Sequence, residues 1–249
     1  MFRTLVTATP VTVTSARTPH NVMGTAEAAP RWDVKEYACK RVFDFLFASV
    51  ALLISLPVGL VIALAVKLED GGPVFFTQTR WGRGKRPFRV CKFRSMVVDA
   101  EHRVGQVQAA KDDSRFTRVG RMLRATSLDE LPQLFNIWKG DMSWVGPRAL
   151  PMNERQLNET EQVADDRIRG FDLRCTARPG LTGIAQIFAP RDVARARKFR
   201  YDGFYIRRQS FWVDVKLIVL SCVISAMGSW EDRERRVFGR RSRRRLRKG

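Results

Sequence analysis

The apolar and polar residues along the chain divide it into zones of different character. Residues 1–35 are rich in Thr, Ala, Val and Pro and show no sustained period of 3.6 or 2, so a disordered leader is expected there. Phe43 to Val66, FDFLFASVALLISLPVGLVIALAV, is the most apolar stretch and is long enough to cross a bilayer. Its middle carries Ser55, Pro57 and Gly59. An interior proline removes a helix hydrogen bond and crowds the preceding turn, so two short helices meeting at an angle are expected. Basic residues Lys40 and Arg41 precede the run, and Lys67, Glu69 and Asp70 follow it. Neither flank is marked as the translocated one, which fits a re-entrant hairpin over residues 36–72; an ordinary spanning helix with a proline kink is the alternative.

After Gly71-Gly72-Pro73 the pattern becomes that of a soluble domain, expected over residues 73–230. VFFTQTR and PFRVCKFRSM alternate like strands around the turn-rich Trp81 to Lys85, predicting a β hairpin. From Thr117 the period is helical: RVGRMLRAT, then LPQLFNIWKG closed by Gly140, then a long polar stretch from Pro151 to Arg169. Phe211 to Met227 is an apolar helix, too short in its uninterrupted part to span comfortably, and is expected at an interface or in the core. Together these elements give an α+β fold, mainly helical, with one small β hairpin and interfacial helices.

Charge adds a partner class to this picture. The net charge is +20; residues 231–249 form a basic tail, expected to be disordered, with ten basic against three acidic residues, which leaves thirteen positive charges on the rest. A surplus of this size favours an anionic partner, whether nucleic acid, lipid headgroups or a phosphorylated substrate. The four cysteines (Cys39, Cys91, Cys175, Cys222) are scattered without a CxxC pair and read as reduced thiols, and His20 and His102 are the only imidazoles. Zinc and Ser-His-Asp chemistry therefore lack material. Carboxylates, Lys, Arg or a thiol must carry any catalysis.

The segment Thr126 to Leu134 holds the adjacent acids Asp129 and Glu130. Ser127 with Glu130 three residues on has the form of a capping box, a purely structural role. Pro132 fits better at a first helical position, which would leave the acid pair just outside the helix, where free amides attract phosphate. Lys92, Arg94, Arg118, Arg121, Arg124 and Arg148 lie around this segment, the last after Gly146-Pro147. Singly each reads as a surface charge; jointly they could neutralise a diphosphate, for which Arg offers a two-pronged donor. Arg178-Pro179-Gly180-Leu181-Thr182-Gly183 is a second turn of this kind, weak evidence by itself.

Four segments then add up to a resemblance. KFRSM (Lys92 to Met96), DDSRFTRVGRMLRATSLDELPQLFNIWKGDMSWVGPR (Asp112 to Arg148), RPGLTGIAQ (Arg178 to Gln186) and YDGFYIRRQSFWVDVKLI (Tyr201 to Ile218) closely resemble the bacterial sugar transferases, monotopic polyprenyl-phosphate phosphoglycosyl transferases. The likeness runs in order from Cys39 to Ala226, with the apolar run in the right place. It implies a re-entrant membrane hairpin broken at Ser55 and Pro57 and a catalytic domain facing the cytosol at the bacterial inner membrane. The implied reaction moves a sugar phosphate from a nucleoside-diphosphate sugar, by default a uridine diphosphate sugar, to polyprenyl phosphate such as undecaprenyl phosphate. This step initiates exopolysaccharide, capsule, O-antigen or glycoprotein glycan assembly.

Residue by residue, the resemblance makes Asp129 the nucleophile and a ligand of Mg2+, and Glu130 its assistant, as proton acceptor or by setting its position. Lys92, Arg94, Arg124, Arg148, Arg178 and Asp202 become substrate or phosphate contacts; Asp202 and Tyr205 match recurrent positions without a derivable role. Membrane lipid is an implied partner, no specific nucleic acid is expected, and a homo-oligomer is compatible. The family usually continues Gly-Pro-Arg with proline, whereas Ala149 and Leu150 intervene here before Pro151. The leader and tail lie outside the likeness, and the chain resembles the short, core-only members. The competing reading is a basic, membrane-tethered protein that binds nucleic acid or acidic lipid.

Overall fold

The computed structural model describes residues 36–100, 113–152, 164–189 and 193–226. The expected leader, the basic tail, His20, His102 and most of the polar stretch after Pro151 lie outside the described residues. Of that stretch, Asp165–Arg167 is a 3-10 turn.

The apolar run forms one helix, α1 (Lys40–Asp70), of 31 residues, with Pro57 inside it. Two separate helices were expected; instead the helix is continuous through the proline, and the Ser55 hydroxyl donates to the Leu52 carbonyl one turn back at 3.2 Å. It is long and apolar enough to cross a membrane, and little of its apolar window is buried. Leu53 and Ile54 beside Pro57 are more than two-thirds exposed.

Both ends of α1 are fixed to the rest of the protein. Near its start, Lys40 is buried and donates to Asp214 at 2.5 Å, while the Arg41 guanidinium donates to the carbonyls of Ile137 and Trp138. One turn on, buried Asp44 accepts from the Ser143 hydroxyl and the Trp144 amide. Near its end, Ile62 and Val66 pack with Phe93 and Leu123. Glu69 accepts from the amides of Arg118 and Val119, and Asp70 pairs with Arg94. The helix stops at Gly71, whose φ of 71° suits a residue without Cβ.

The expected hairpin is present as β1 (Phe75–Trp81) and β2 (Pro87–Phe93), antiparallel, with Phe76 opposite Lys92 and Arg80 opposite Phe88. Helix α2 (Arg118–Thr126) follows, and α3 (Gln133–Lys139) ends at Gly140 with a φ of 101°. Next come β3 (Ser143–Val145), α4 (Phe171–Arg174), β4 (Gly180–Thr182) and α5 (Ile184–Phe188). Helices α6 (Arg195–Arg208) and α7 (Phe211–Ala226) complete the described chain. β3 and β4 pair in parallel, a second small sheet that the sequence pattern did not predict. Helix α7 buries Asp214, Leu217 and Ile218 and exposes Trp212, Val219 and Val223, so it is part core and part surface.

Candidate active site

The acid pair sits where three elements meet. α2 begins with the Thr117 side chain accepting from the Gly120 amide at 2.9 Å and ends at Ser127 with a φ of 59°. That left-handed residue turns the chain into a 3-10 turn, Leu128–Glu130, with Pro132 immediately before α3. Ser127 makes no side-chain cap bond, so the capping-box reading fails and the acids lie outside both α-helices, as Pro132 suggested. Leu128 and Leu131 pack against Leu123 and Phe93 and hold the turn between them. Asp129 is 6% exposed.

Lys92 reaches the pair from β2. Its strand is tied to α3 by Asn136, whose amide donates to the Arg89 carbonyl at 2.8 Å and whose oxygen accepts from the Cys91 amide at 3.0 Å. Lys92 Nζ then donates to Glu130 Oε1 at 2.6 Å and stands 3.9 Å from Asp129 Oδ2. Arg148 arrives from β3, and its guanidinium donates to the same Glu130 oxygen at 3.1 Å. The two proline-glycine turns singled out in the sequence form one unit here. The Gly146 amide donates to Thr182 O, and the Gly180 amide donates to Pro147 O. A Cβ on Gly180 would lie 2.0 Å from the Gly146 nitrogen, so glycine is required by the close approach of the backbones.

The two acids are electrostatically unequal. Burial pushes the Asp129 carboxyl above the usual carboxylate range, with Lys92 opposing and the charge of Glu130 adding to the rise. Burial acts on Glu130 in the same sense, but the charges of Lys92 and Arg148 and the Lys92 hydrogen bond outweigh it and hold this carboxyl well below that range. Burial lowers Lys92 against the pull of both acids. Glu130 is thus a carboxylate taken up by two cations. Asp129 makes no hydrogen bond among the described residues, which leaves its oxygen lone pairs available to an incoming electrophile or cation.

Of the sequence-predicted residues, Lys92, Arg124 and Arg148 gather around the acid pair; Arg124 also lies over the Phe116 ring, 4.5 Å from its centroid. The others have different partners. Arg94 is buried against Asp70, and Arg178 pairs with Glu36. Asp202, expected among the phosphate contacts, is instead buried and paired with Arg174 at 3.1 Å, because an acid in the core needs a cation beside it. Arg80, whose charge acts on both Lys92 and Glu130, was missed, as were Asn136 and Arg174. A polar residue on the buried side of α3 could have flagged Asn136.

No group of three or more His, Cys, Asp or Glu side chains that could cage a metal exists among the described residues. Mg2+ needs no such cage, since it is commonly held by one or two carboxylates with substrate phosphates and water. Asp129, without a hydrogen bond among the described residues, fits the role of a single carboxylate ligand; Glu130, engaged by Lys92 and Arg148, does not.

Comparison with known proteins identifies the family of the chain. A family model described as bacterial sugar transferase matches residues 35–228. A Klebsiella pneumoniae protein named UDP-glucose:undecaprenyl-phosphate glucose-1-phosphate transferase is 43% identical over 187 residues, covering 73% of this chain and 39% of that protein. An Aeromonas hydrophila UDP-N-acetylgalactosamine-undecaprenyl-phosphate N-acetylgalactosaminephosphotransferase is 41% identical, over 72% of this chain and 41% of its own length. An exopolysaccharide production protein of Rhizobium leguminosarum is 40% identical, over 72% of this chain and 90% of its own. The chain thus spans about two fifths of the first two relatives and nearly all of the third. With the match enclosing α1, the acid pair and both proline-glycine turns, the chain belongs to the bacterial sugar transferase family.

Proposed function

We propose that this protein transfers a sugar phosphate from a nucleoside-diphosphate sugar to polyprenyl phosphate through a covalent intermediate on Asp129. The observation that carries the reading is the division between the acids: Asp129 is buried and without a hydrogen bond among the described residues, while Glu130 holds Lys92 and Arg148 beside it. An Asp129 carboxylate oxygen attacks the β-phosphorus of the donor, the bond from that phosphorus to the bridging oxygen breaks, and nucleoside monophosphate leaves with the electron pair. An oxygen of polyprenyl phosphate then attacks the same phosphorus and releases the Asp129 carboxylate, giving a polyprenyl diphosphate sugar. Lys92, Arg124 and Arg148 stabilise the phosphoryl charge, the main task of a protein in such transfers. Glu130 orients those cations; a carboxyl held so far below its usual range is a weak proton acceptor.

Mg2+, with Asp129 as its carboxylate ligand, would offset the diphosphate charge. The names of the relatives support a uridine diphosphate sugar and undecaprenyl phosphate as substrates and a place in exopolysaccharide synthesis, and they differ in the sugar. The attachment of both ends of α1 to one body supports a re-entrant helix with the catalytic residues on the cytosolic side. A straight 31-residue helix is roughly 46 Å long, against a hydrocarbon core of about 30 Å, and crossing would carry one anchored end away from the body that holds it. Membranes containing the protein are expected to release nucleoside monophosphate from a nucleotide sugar turnover after turnover only with polyprenyl phosphate and Mg2+, with at most about one equivalent per protein released before the acceptor is added, and Asp129→Asn to abolish release. Full activity in that variant would sink the reading.

A further inference from the structure

Arg148 carries its guanidinium outward from a turn whose neighbouring residues Pro147 and Ala149 are buried. Its side chain is 50% exposed, and a small cleft lined by Trp81, Pro147, Arg148, Arg174, Cys175 and Pro179 borders the turn. The next residue is Ala149, without a ring to restrict the backbone. Two other guanidiniums take hold of this backbone. Arg174 donates to the Arg148 carbonyl at 2.6 Å, and Arg80 donates to the Ala149 carbonyl at 2.7 Å. The Trp81 amide adds a bond to the Leu150 carbonyl at 3.0 Å.

Each of the two arginines is itself held. Arg80 is gripped by Gln78 Oε1 at 2.8 Å on the same strand. Arg174 is 5% exposed, lies 4.6 Å from the centroid of the Phe199 ring, and donates through Nε to Asp202 of α6, which is 3% exposed. A buried ion pair gains little stability over apolar residues of similar volume, because desolvation offsets the attraction. What the pair does provide is a guanidinium of fixed orientation with one nitrogen directed at the Arg148 carbonyl.

We propose that Arg80 and Arg174 clamp consecutive carbonyls of the Arg148 turn and, with Asp202 orienting Arg174, act as positioning residues that hold the Arg148 guanidinium for the diphosphate of the donor. The proposal rests on the transferase reading above. It gives Asp202 a task without requiring it to touch substrate. It also accounts for the arginine on β1 whose charge reaches the acid pair while its hydrogen bonds serve the turn.

The test is a cycle of variants read in two ways: single-turnover release of nucleoside monophosphate, and the Kd of the nucleotide sugar. Removing Arg174 alone would strand buried Asp202, so the pair is replaced together, Arg174→Met with Asp202→Leu, and a melting temperature close to wild type verifies the fold. Misplacing a catalytic contact by about 1 Å can cost on the order of 100-fold. The swap is expected to slow release by about 10-fold to 100-fold in the wild-type background and by less than about 2-fold once Arg148→Ala is present. Arg80→Lys, which keeps the charge that reaches Lys92 and Glu130 but loses the guanidinium that grips the Ala149 carbonyl, is expected to behave in the same way. If Arg148→Ala leaves no measurable release, donor Kd supplies the same comparison. An equal effect of the swap in both backgrounds overturns the proposal, as does an Arg148→Ala protein with unchanged rate and affinity. Either result leaves the transferase reading standing as long as release still depends on Asp129; release that survives Asp129→Asn strikes that reading instead.

Discussion

Replacing Lys40 with methionine perturbs the junction between α1 and the elements packed against its start, and the structure sets the size of the effect. Lys40 Nζ donates to Asp214 at 2.5 Å and to the Tyr205 hydroxyl and the Val145 carbonyl at 3.2 Å each, and its side chain is 2% exposed. Methionine keeps most of the stem and removes the charge. Asp214, fully buried, is then left with the hydroxyls of Tyr37 at 2.9 Å and Tyr205 at 2.8 Å. The Tyr205 hydroxyl also approaches the Val145 carbonyl at 3.0 Å. Its single proton cannot serve both acceptors.

Removing one member of a buried pair costs about 3–5 kcal/mol. The remaining hydroxyls place this case near the lower end, about 3 kcal/mol. For a chain of this size each kcal/mol lowers Tm by about 2–4 °C, so Lys40→Met is expected to melt about 6–12 °C below wild type in detergent micelles. Near-UV circular dichroism reads the transition. Adding Asp214→Leu, which removes the stranded charge, is expected to recover much of the loss. A single variant that melts with wild type, or a double variant no better than the single, would refute the reasoning.

Further outcomes follow from other parts of the structure. With Cys222→Ser in place, a membrane-impermeant maleimide is expected to label Cys39, before α1, and an Arg86→Cys variant, after it, from the cytosolic side of oriented vesicles. Labelling from opposite sides would mean that α1 spans. Gly180→Ala brings a Cβ within 2.0 Å of a backbone nitrogen, so a loss of at least the roughly 1–3 kcal/mol typical of overpacking is expected in a denaturant titration; unchanged stability would contradict the packing. Burial pushes the Cys175 thiol up to about 11. At about pH 8 only roughly one molecule in a thousand then carries the thiolate, so iodoacetamide should modify exposed Cys39 and Cys222 and spare Cys175 in the folded protein. Equal labelling at Cys175, read by mass spectrometry, would contradict this.

How far the sequence foretold the structure depends on the range of the interactions involved. The β hairpin and helices α2 and α3 were legible because alternation, helical period, Pro132 and Gly140 are local signals. The placement of the acid pair before α3 was legible for the same reason. The parallel pairing of β3 with β4 was not: each strand has three residues, and their glycines read as punctuation until Gly146 and Gly180 are seen against each other. The partners of charged residues were equally hidden. Asp202 looked like a site residue and is the counter-ion of Arg174, and Arg94 looked like a companion of Lys92 and closes the end of α1 on Asp70. These pairs join positions 28 and 24 residues apart, a separation at which spacing carries no information. Pro57 illustrates the reverse: a strong local signal for a break that the helix accommodates without losing its continuity.

The central claim is that Asp129 becomes covalently bonded to phosphorus. The protein is incubated with a nucleotide sugar labelled in the sugar and phosphate, without polyprenyl phosphate, then quenched and digested, and the labelled peptide is sequenced by mass spectrometry. The account predicts one labelled peptide, carrying a sugar phosphate on Asp129, that loses its label when polyprenyl phosphate is added before the quench. Label on another residue, or nucleoside monophosphate that forms only when both substrates are present and with no adduct, would contradict it.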